Sequence, residues 1–442
     1  MQSQKLMEEH HHWIQKIPSL CAYFLIGLLP ISSIADTVYH YTPWSQVQTI
    51  QYDNSMQTQY RYDAYQRMTA LIHLPNGNKA QTTLDLHYTY NRMNQLTWRK
   101  RSDDAVTMQE QFGYDANNRL IDFTCQGQHC PANAHYTFDH WNNIKQVIHP
   151  TAVTTYHYSS IHPQRLNSPH LMYDRTGNIV QDDQGTVLHY DPFGHLDSAR
   201  TLTQALTRYH YNGDDKQVAQ TPTKGHATYF IYGATPEHTT PAQPFLNILF
   251  SKKQVSNLFS HPAKKPHNDT PTLPEPIYAK LTTLHAQLSN ILEEHAHTSV
   301  FQEAQTIRYA LPQNTAYDLL DAHHNVLSSF SGVRVYSPYG KSTLLPSNTQ
   351  PIDTHWAQYI GFQGQLTDPM TSLQFMGQGT RAYSPSLRRF ISYDALSPFN
   401  QGGLNGYTFA NNNPMVFEDP NGHMAQWNGF TNRLKAMVPQ IG

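Results

Sequence analysis

Charged residues are scarce in this sequence, because Lys, Arg, Asp and Glu together make up 14% of its 442 residues. The 30 basic and 32 acidic residues almost cancel, so the composition gives no electrostatic footprint for a nucleic acid or for acidic lipids. Standard catalytic and cofactor motifs are missing as well: a P-loop, a dinucleotide fingerprint, GxSxG, a CxxC pair, and the Asp-Thr-Gly or Asp-Ser-Gly of pepsin-like proteases. The sequence therefore predicts no nucleic-acid partner, no cofactor and no metal.

Tyrosine, proline and histidine are abundant, with 28 Tyr, 28 Pro and 27 His. Many Tyr, Thr, Gln and Asn beside few Lys and Glu favour an all-β protein over a helical one. Disorder would require few aromatic residues and a high net charge, whereas this chain is 12% aromatic with a formal net charge of −2. The length allows two or three modules.

Residues 1–35 are predicted to be a secretory signal peptide. Residues 20–29 form an uninterrupted apolar run that is short for crossing a bilayer. Small residues at Ser33 and Ala35 favour cleavage before Asp36. A short membrane anchor and a buried strand are the alternatives. We expect a secreted or envelope-associated protein with no stable membrane span after signal cleavage.

Cys125 and Cys130 are the two cysteines that follow the predicted signal, in the sequence CQGQHC. An exported chain meets an oxidising compartment, where this short spacing allows a disulfide. The alternative is two free thiols. A zinc site would need two further ligands, and only His129 is local.

A motif recurs between residues 36 and 235: an aromatic residue, Asp or Asn, two variable residues, usually Gly or Asn, a polar residue, and an aliphatic one. Its aromatic residue ends a strand, the Asp or Asn side chain caps a turn, and the fifth position tolerates positive φ. Each copy is therefore a β-hairpin that must stack on its neighbours to bury one face. A chance Tyr-Asp turn would explain one copy but not seven in register. The copies begin at Tyr62, Tyr90, Tyr114, Phe138, Tyr173, Tyr190 and Tyr211.

Residues 236–308 are predicted to be an insertion made of an exposed linker and an amphipathic helix. The stretch up to residue 275 is rich in Pro, His, Lys and Thr. From residue 277 to 308 we predict a packing or docking helix, because apolar residues recur on one helix face up to Leu292. A metal site in this helix is disfavoured, since residues two apart point in different directions. Its candidate ligands would be Glu293, Glu294, His295 and His297.

Residues 309–424 contain a stretch dense in Gly, Asn, Pro and aromatic residues, which is typical of closely spaced short strands. Five ordered motifs lie there: Gly361-Phe362-Gln363-Gly364-Gln365, Arg381-Ala382-Tyr383-Ser384-Pro385, Arg389-Phe390-Ile391-Ser392, Asn412-Asn413-Pro414 and Asp419-Pro420-Asn421-Gly422. Together with the repeat, they resemble the RHS repeat-associated core of bacterial Rhs and YD-repeat proteins, which also occurs in the C component of insecticidal toxin complexes.

The resemblance implies a mainly β fold, in which a curved antiparallel sheet of stacked YD-repeat β-hairpins is closed by an RHS-type core, with one inserted helical segment. In the family, long repeat arrays form a hollow shell around a payload. The hairpins of this chain are too few for a closed chamber, and an open sheet leaves edge strands that need cover. We therefore expect a protein partner that completes the shell, self-association, or the inserted helix across an edge.

The resemblance also implies an aspartyl autoprotease that cuts its own chain after the Asp-Pro-x-Gly motif. Its two aspartates correspond to Asp394 and Asp419, and its arginine to Arg381. Two close carboxyls share a proton, so one becomes a base that activates water, and the arginine balances their charge. The cut would fall between His423 and Met424 and release a short tail, of which residues 425–442 form the end.

Three departures from the family pattern leave an alternative open. His423 stands where the family has Leu, Tyr393 replaces the usual Pro before the first aspartate, and the following loop is longer. In the alternative, Asp419 belongs to a tight turn, Asp394 caps another turn, and the core folds without cutting.

Two functions are thus compatible with the sequence. The first is a secreted RHS/YD-repeat protein that acts as a structural, encapsulating component of a polymorphic-toxin or contact-dependent system, with or without self-cleavage. The alternative is a cell-surface module with a catalytically dead core, whose Tyr- and His-rich hairpins bind carbohydrate or protein. Core packing accounts for most of these tyrosines.

Overall fold

The structure is a computed structural model that describes most of the chain between residues 38 and 427. The described ranges are 38–52, 56–75, 84–103, 105–203, 205–223, 228–232, 246–251, 298–303, 306–310, 315–323, 326–329, 332–345, 359–398 and 403–427. The predicted signal peptide lies outside them, as does most of the C-terminal tail.

Antiparallel β-strands dominate the described residues, which contain almost no helix. Eleven strands form one sheet in which every strand pairs with its neighbours in sequence. These strands are β1 Val38–Tyr41, β2 Val47–Tyr52, β3 Met56–Tyr62, β4 Met68–Pro75, β5 Leu84–Tyr90, β6 Leu96–Asp103, β7 Thr107–Tyr114, β8 Leu120–Gly127, β9 Ala134–Phe138, β10 Ile144–Ile148 and β11 Val153–Thr155.

The chain divides into two compact units, of which the larger comprises residues 33–206 and 317–442. Besides the eleven-stranded sheet, it holds two further runs of antiparallel strands and two small sheets. The first run is β12 Met172–Tyr173, β13 Ile179–Gln181, β14 Val187–Tyr190 and β15 Leu196–Arg200. The second is β22 Thr315–Leu320, which begins at the boundary of the unit, β23 Val326–Ser329, β24 Gly332–Tyr336 and β25 Ser342–Leu345.

The first small sheet lies in the predicted core, and the second pairs a core strand with the first residues of the predicted tail. The first is β26 Leu366–Thr367, β27 Gln374–Met376, β28 Arg381–Ser384 and β29 Arg389–Phe390, and the second is β30 Phe417–Glu418 with β31 Gln426–Trp427. Short 3-10 turns lie at Phe362–Gly364, Gly377–Gly379 and Ala410–Asn412.

The smaller unit comprises residues 1–32 and 207–316. Its described strands again pair antiparallel with their sequence neighbours. They are β16 Leu206–Tyr211, β17 Gln217–Pro222, β18 Thr228–Tyr232, β19 Leu246–Ser251, β20 Thr298–Glu303 and β21 Thr306–Ala310.

The repeat motif forms the turns between paired strands. In the third copy, Asp115 Oδ1 accepts hydrogen bonds from the backbone N–H groups of Asn117 and Arg119, both at 2.9 Å. Asp115 Oδ2 accepts from Arg119 Nε at 2.7 Å, and Asn118 has φ 63°. In each copy the Asp or Asn accepts from the backbone N–H four residues on. The fifth residue has positive φ throughout, even where it is Gln66 or Asp215.

The tyrosine of the motif has a further role that its position alone does not reveal. The Tyr114 hydroxyl donates to the backbone carbonyl of Leu96, at the start of the neighbouring hairpin's returning strand, at 2.6 Å. Tyr62 and Tyr90 make the equivalent bonds at 2.7 Å, to Val47 and Met68. These hydroxyls connect each turn to the preceding repeat, whereas the aromatic side chains two residues earlier, such as Tyr60 and Tyr88, are buried in the core of the sheet.

Within the predicted insertion, three strands differ from the prediction. β19 lies in the expected linker, because the short apolar run LNILFS forms a strand inside a stretch that is polar on average. β20 and β21 occupy the end of the expected helix, where β-branched and aromatic residues replace the helical spacing that stops at Leu292. Residues 252–297 lie outside the described residues, so the helix and its metal alternative stay predictions there.

Cys125 in β8 and Cys130 in the turn that follows form a disulfide, with sulfurs 2.08 Å apart. The backbone N–H of Cys125 donates to Asn133 Oδ1 at 2.7 Å, which closes the same turn. No helix among the described residues is long and apolar enough to cross a membrane.

The turn geometry predicts the effect of Asp115→Ala. The substitution leaves two backbone N–H groups without their acceptor and removes the ion pair with Arg119, so unfolding free energy should fall by roughly 1–3 kcal/mol. Urea-induced unfolding measures this. Asp197→Ala, on an exposed position of β15, is the matched control and should change little; equal effects of the two substitutions would contradict the capping role.

Candidate functional site

Stacked aromatic side chains form the centre of the core. Tyr383 and Phe409 have ring centroids 4.2 Å apart, and Phe390 and Phe362 lie 5.8 and 6.1 Å from Phe409. All four are buried. Because Tyr383 and Phe390 come from the paired strands β28 and β29, this packing fixes the strand that begins with Arg381.

Arg381 connects four segments of the core. Its guanidinium lies 3.8 Å from the centroid of the Phe390 ring. Nη1 donates to Asp394 Oδ2 at 3.2 Å and to the carbonyl of Gly422 at 2.9 Å. Nη2 donates to the carbonyls of Ser392 and Gly406, both at 2.6 Å. Burial lowers the pKa of Arg381 to about 10, although the charges of the two aspartates oppose it, so the side chain stays charged at neutral pH.

Asp394 is buried and held by three donors. Oδ2 accepts from Arg381, and Oδ1 accepts from the backbone N–H of Leu396 at 2.9 Å and from His423 Nδ1 at 3.0 Å. Burial raises the pKa of this carboxyl, but the His423 hydrogen bond, the Arg381 charge and the Leu396 N–H together bring the pKa below its ordinary value. Asp394 is therefore ionised at neutral pH, and the proton between it and His423 resides on Nδ1.

Asp419 is buried too, but its pKa moves in the opposite direction. Its Oδ1 accepts the backbone N–H of Met424 at 3.0 Å. Burial raises the pKa of Asp419 to about 6, although Arg381 and the Met424 N–H lower it, and the negative charge of Asp394 adds to the increase. Asp419 thus takes up a proton under mildly acidic conditions, while Asp394 remains ionised.

The two residues joined by the His423–Met424 peptide bond each contact one of these carboxyls: the His423 side chain contacts Asp394, and the Met424 nitrogen contacts Asp419. Asn421 Oδ1 accepts the backbone N–H groups of His423 at 3.0 Å and of Met424 at 2.9 Å. Gly422 has φ +77°, and a Cβ there would lie 3.3 Å from the carbonyl oxygen of Met376. The turn therefore holds the bond's nitrogen against Asp419 and the His423 side chain against Asp394.

The structure brings together all five residues predicted for this site, Arg381, Asp394, Asp419, His423 and Met424. It differs in how the aspartates interact: among the described residues, each carboxyl has its own donors and the two form no hydrogen bond with each other. Sequence reasoning missed Asn421, Ser392 and Gly406. Asn421 lies in a recognisable turn motif, whereas backbone carbonyls carry no sequence signal.

The core contacts the row of repeat turns through hydrogen bonds to left-handed residues. Asn413 Nδ2 donates to the carbonyl of Asn118 at 2.6 Å, and Asn412 Nδ2 donates to that of Asn142 at 2.9 Å. The Tyr407 hydroxyl donates to the carbonyl of Gly177 at 2.6 Å. The acceptors are the fifth residues of three successive repeat turns, so the core recognises the turn geometry that the motif creates.

A second contact between core and sheet is ionic and buried. Arg99 in β6 pairs with Glu110 in β7 and with Asp321 directly after β22, the latter at 2.7 Å. Neighbouring Arg101 donates to the carbonyl of Arg334 at 2.6 Å. These contacts connect β22 and β24 to the eleven-stranded sheet. Breaking the ion pair would leave an uncompensated buried charge, which opposes separation of the two parts.

The Teneurin YD-shell family matches residues 26–247, half of the chain. The chain therefore belongs to the YD-shell family and is an Rhs/YD-repeat shell protein. None of the curated proteins compared with it matches.

The fold is similar to three crystal structures: TcdB2-TccC3-Cdc42 with a TM-score of 0.61 and 16% identity, TcdB2-TccC3-TEV with 0.62 and 17%, and TcdB2-TccC3 with 0.62 and 16%. Each similarity covers 87% of this chain and 19% of the other chain. The chain thus spans about a fifth of the length of the structures it matches, and the likeness is one of fold.

The raised pKa of Asp419 predicts a pH-dependent effect of Asp419→Asn on stability. The folded chain holds this proton more tightly than the unfolded chain, so the stabilising contribution is complete below pH 3.8 and is lost as pH rises through about 6. The difference between the two pKa values corresponds to about 3 kcal/mol at most. Asp419→Asn should therefore increase stability at pH 8 and change it little at pH 4.

Urea-induced unfolding at these two pH values measures the effect. Both chains should carry Asp394→Asn, so that neither can cut itself; this removes the smaller contribution of the Asp394 charge but keeps burial, the largest cause of the raised pKa of Asp419. A stabilisation by Asp419→Asn that is equal at pH 4 and pH 8 would contradict the assignment.

Proposed function

We propose that this protein is a structural, encapsulating component of a secreted or envelope-associated polymorphic-toxin or contact-dependent system, and that its core cuts its own chain between His423 and Met424. The observation that carries the self-cleavage is the position of the Met424 nitrogen, 3.0 Å from a buried carboxyl of raised pKa. A second buried carboxyl, Asp394, has a lowered pKa and accepts a hydrogen bond from the side chain of His423, the residue before that nitrogen.

In the proposed reaction, Asp394 takes a proton from water as the water oxygen bonds to the carbonyl carbon of His423. Protonated Asp419 gives its proton to the Met424 nitrogen, and the carbon–nitrogen bond breaks. The products are a carboxyl group at His423 and an amino group at Met424. Tethering supplies the proximity, and the fixed charge of Arg381 keeps Asp394 ionised.

His423 limits this reaction in the geometry described. Its Nδ1 donates a hydrogen bond to Asp394 Oδ1, which also accepts one from the backbone N–H of Leu396. Arg381 donates to the other oxygen, Oδ2. A water molecule must therefore displace the imidazole to reach the base. The His423 side chain is 29% exposed and faces solvent in part, so this displacement needs no opening of the core.

A protein partner is the proposed completion of the shell. Among the strands that the structure describes, β1 lies at one end of the eleven-stranded sheet, and all four of its residues are exposed. Trp44, in the turn that follows β1, is 70% exposed. An end strand favours pairing with a further strand, and a second shell chain or another copy of this chain has the complementary structure.

Self-cleavage predicts a fixed change in intact mass. Protein expressed without residues 1–35 and incubated at pH 5 should lose residues 424–442, because Asp419 is then largely protonated and Asp394 is ionised. The cut should slow as pH rises above about 6. Asp394→Asn keeps the acceptor for the Leu396 N–H but removes the base, so this variant should retain its full mass. Wild-type protein that stays whole at both pH 5 and pH 8 would contradict the proposal.

The hydrogen bond from His423 to Asp394 keeps water from the proposed base, so we predict that His423→Leu speeds the cut. Leucine removes the competing donor and leaves the backbone bonds of Asn421 in place, so the first-order rate at pH 5 should rise several-fold, on the order of tenfold. A mass-resolved time course measures the rate. A slower cut by His423→Leu would show that the imidazole assists the reaction.

A further inference from the structure

Gln164 belongs to the repeat region, in the loop between β11 and β12, yet its polar groups bind a loop of the core. Its Nε2 donates to the carbonyl of Leu404 at 2.7 Å, and its Oε1 accepts the backbone N–H of Gly406 at 3.2 Å. Its own backbone carbonyl accepts from Arg389 Nη2 at 2.7 Å. Gln164 thus hydrogen-bonds to both ends of the 404–406 loop through its side chain and to Arg389 in β29 through its backbone.

The loop that Gln164 holds is the one that orients the site. The Gly406 carbonyl accepts hydrogen bonds from Arg381 Nη2 at 2.6 Å and from the backbone N–H of Asp394 at 3.1 Å. The approach leaves no room for a side chain, because a Cβ on Gly406 would lie 2.7 Å from the ring of Tyr393. A shift of the Gly406 carbonyl would therefore move both Arg381 and Asp394, whose charge Arg381 balances.

We propose that Gln164 is a positioning residue for self-cleavage, which it serves by fixing the Gly406 carbonyl that holds Arg381 and Asp394. This inference rests on the proposed self-cleavage. If Gln164 positions the site, self-cleavage requires the repeat region to be folded against the core. The cut then takes place after the two parts have docked.

A merely structural role would lower stability and slow the cut equally at every pH, whereas positioning changes the pH profile. The charged and titratable groups that face Asp394 are Arg381 from β28, and Asp419 and His423 from the segment after β30. Tyr190 and Tyr407 also face Arg381. Arg381 lowers the pKa of both Asp394 and Asp419, so loosening it should move both limbs of the pH profile to higher pH.

The test compares Gln164→Ala with Gln181→Ala in protein expressed without residues 1–35. Gln181 lies in the same region, and its Nε2 donates to the carbonyl of His170 within the repeat region. We expect Gln164→Ala to slow the cut roughly 10- to 100-fold and to shift both limbs upward. Gln181→Ala should match the wild type. An unchanged rate, or a slower cut with an unshifted profile, overturns the positioning role.

A second readout separates this inference from the proposed function. If the wild-type chain stays whole at every pH, self-cleavage is wrong, and amide hydrogen exchange still tests the Gln164 contact in chains that carry Asp394→Asn. Gln164→Ala should speed exchange at residues 404–407 and 392–394, and Gln181→Ala should not. Equal exchange in the two variants overturns the inference whether or not the chain cuts itself.

Discussion

The structure of the larger unit depends on one recurring interaction: a turn residue in the left-handed conformation accepts, through its carbonyl oxygen, a hydrogen bond from a side chain of the core. The repeat motif creates this residue because an Asp or Asn side chain closes the turn around it, as Asp115 does around Asn118. Three successive turns each offer such a carbonyl to the core. The side chains of Asn413, Asn412 and Tyr407 donate hydrogen bonds to these carbonyls. The same stretch of the core contains Gly406, whose carbonyl accepts a hydrogen bond from Arg381.

The electrostatics of the candidate site follow from this docking. Both carboxyls are buried, and the donors around each decide which one is ionised. Asp394 accepts hydrogen bonds from His423, Arg381 and the Leu396 N–H and has a lowered pKa, whereas for Asp419 burial prevails and its pKa is raised to about 6. Environments that separate the pKa values of two neighbouring acids divide the roles of base and acid between them.

Local features could be predicted from the sequence, and long-range ones could not. The turn caps and the left-handed fifth residues are set within five positions, and the structure agrees even at Gln66 and Asp215. The grouping of Asp394, Asp419 and Arg381 came from family resemblance rather than from spacing. The contacts of Gln164 cross 240 residues of chain, and a half-buried glutamine in a loop carries no signal of its partner. β20 and β21 were misassigned because an amphipathic helical pattern was extended past its last apolar residue.

Asn413→Asp in the full chain, followed by amide hydrogen exchange, tests the central claim most directly. The aspartate keeps the shape of the side chain but points a carboxylate oxygen, instead of Nδ2, at the carbonyl of Asn118. If the core depends on the row of turns, exchange should speed up across residues 403–427 and at the turn that contains Asn118. Unchanged protection in both segments would show that the core holds its structure without that row, and would contradict the account.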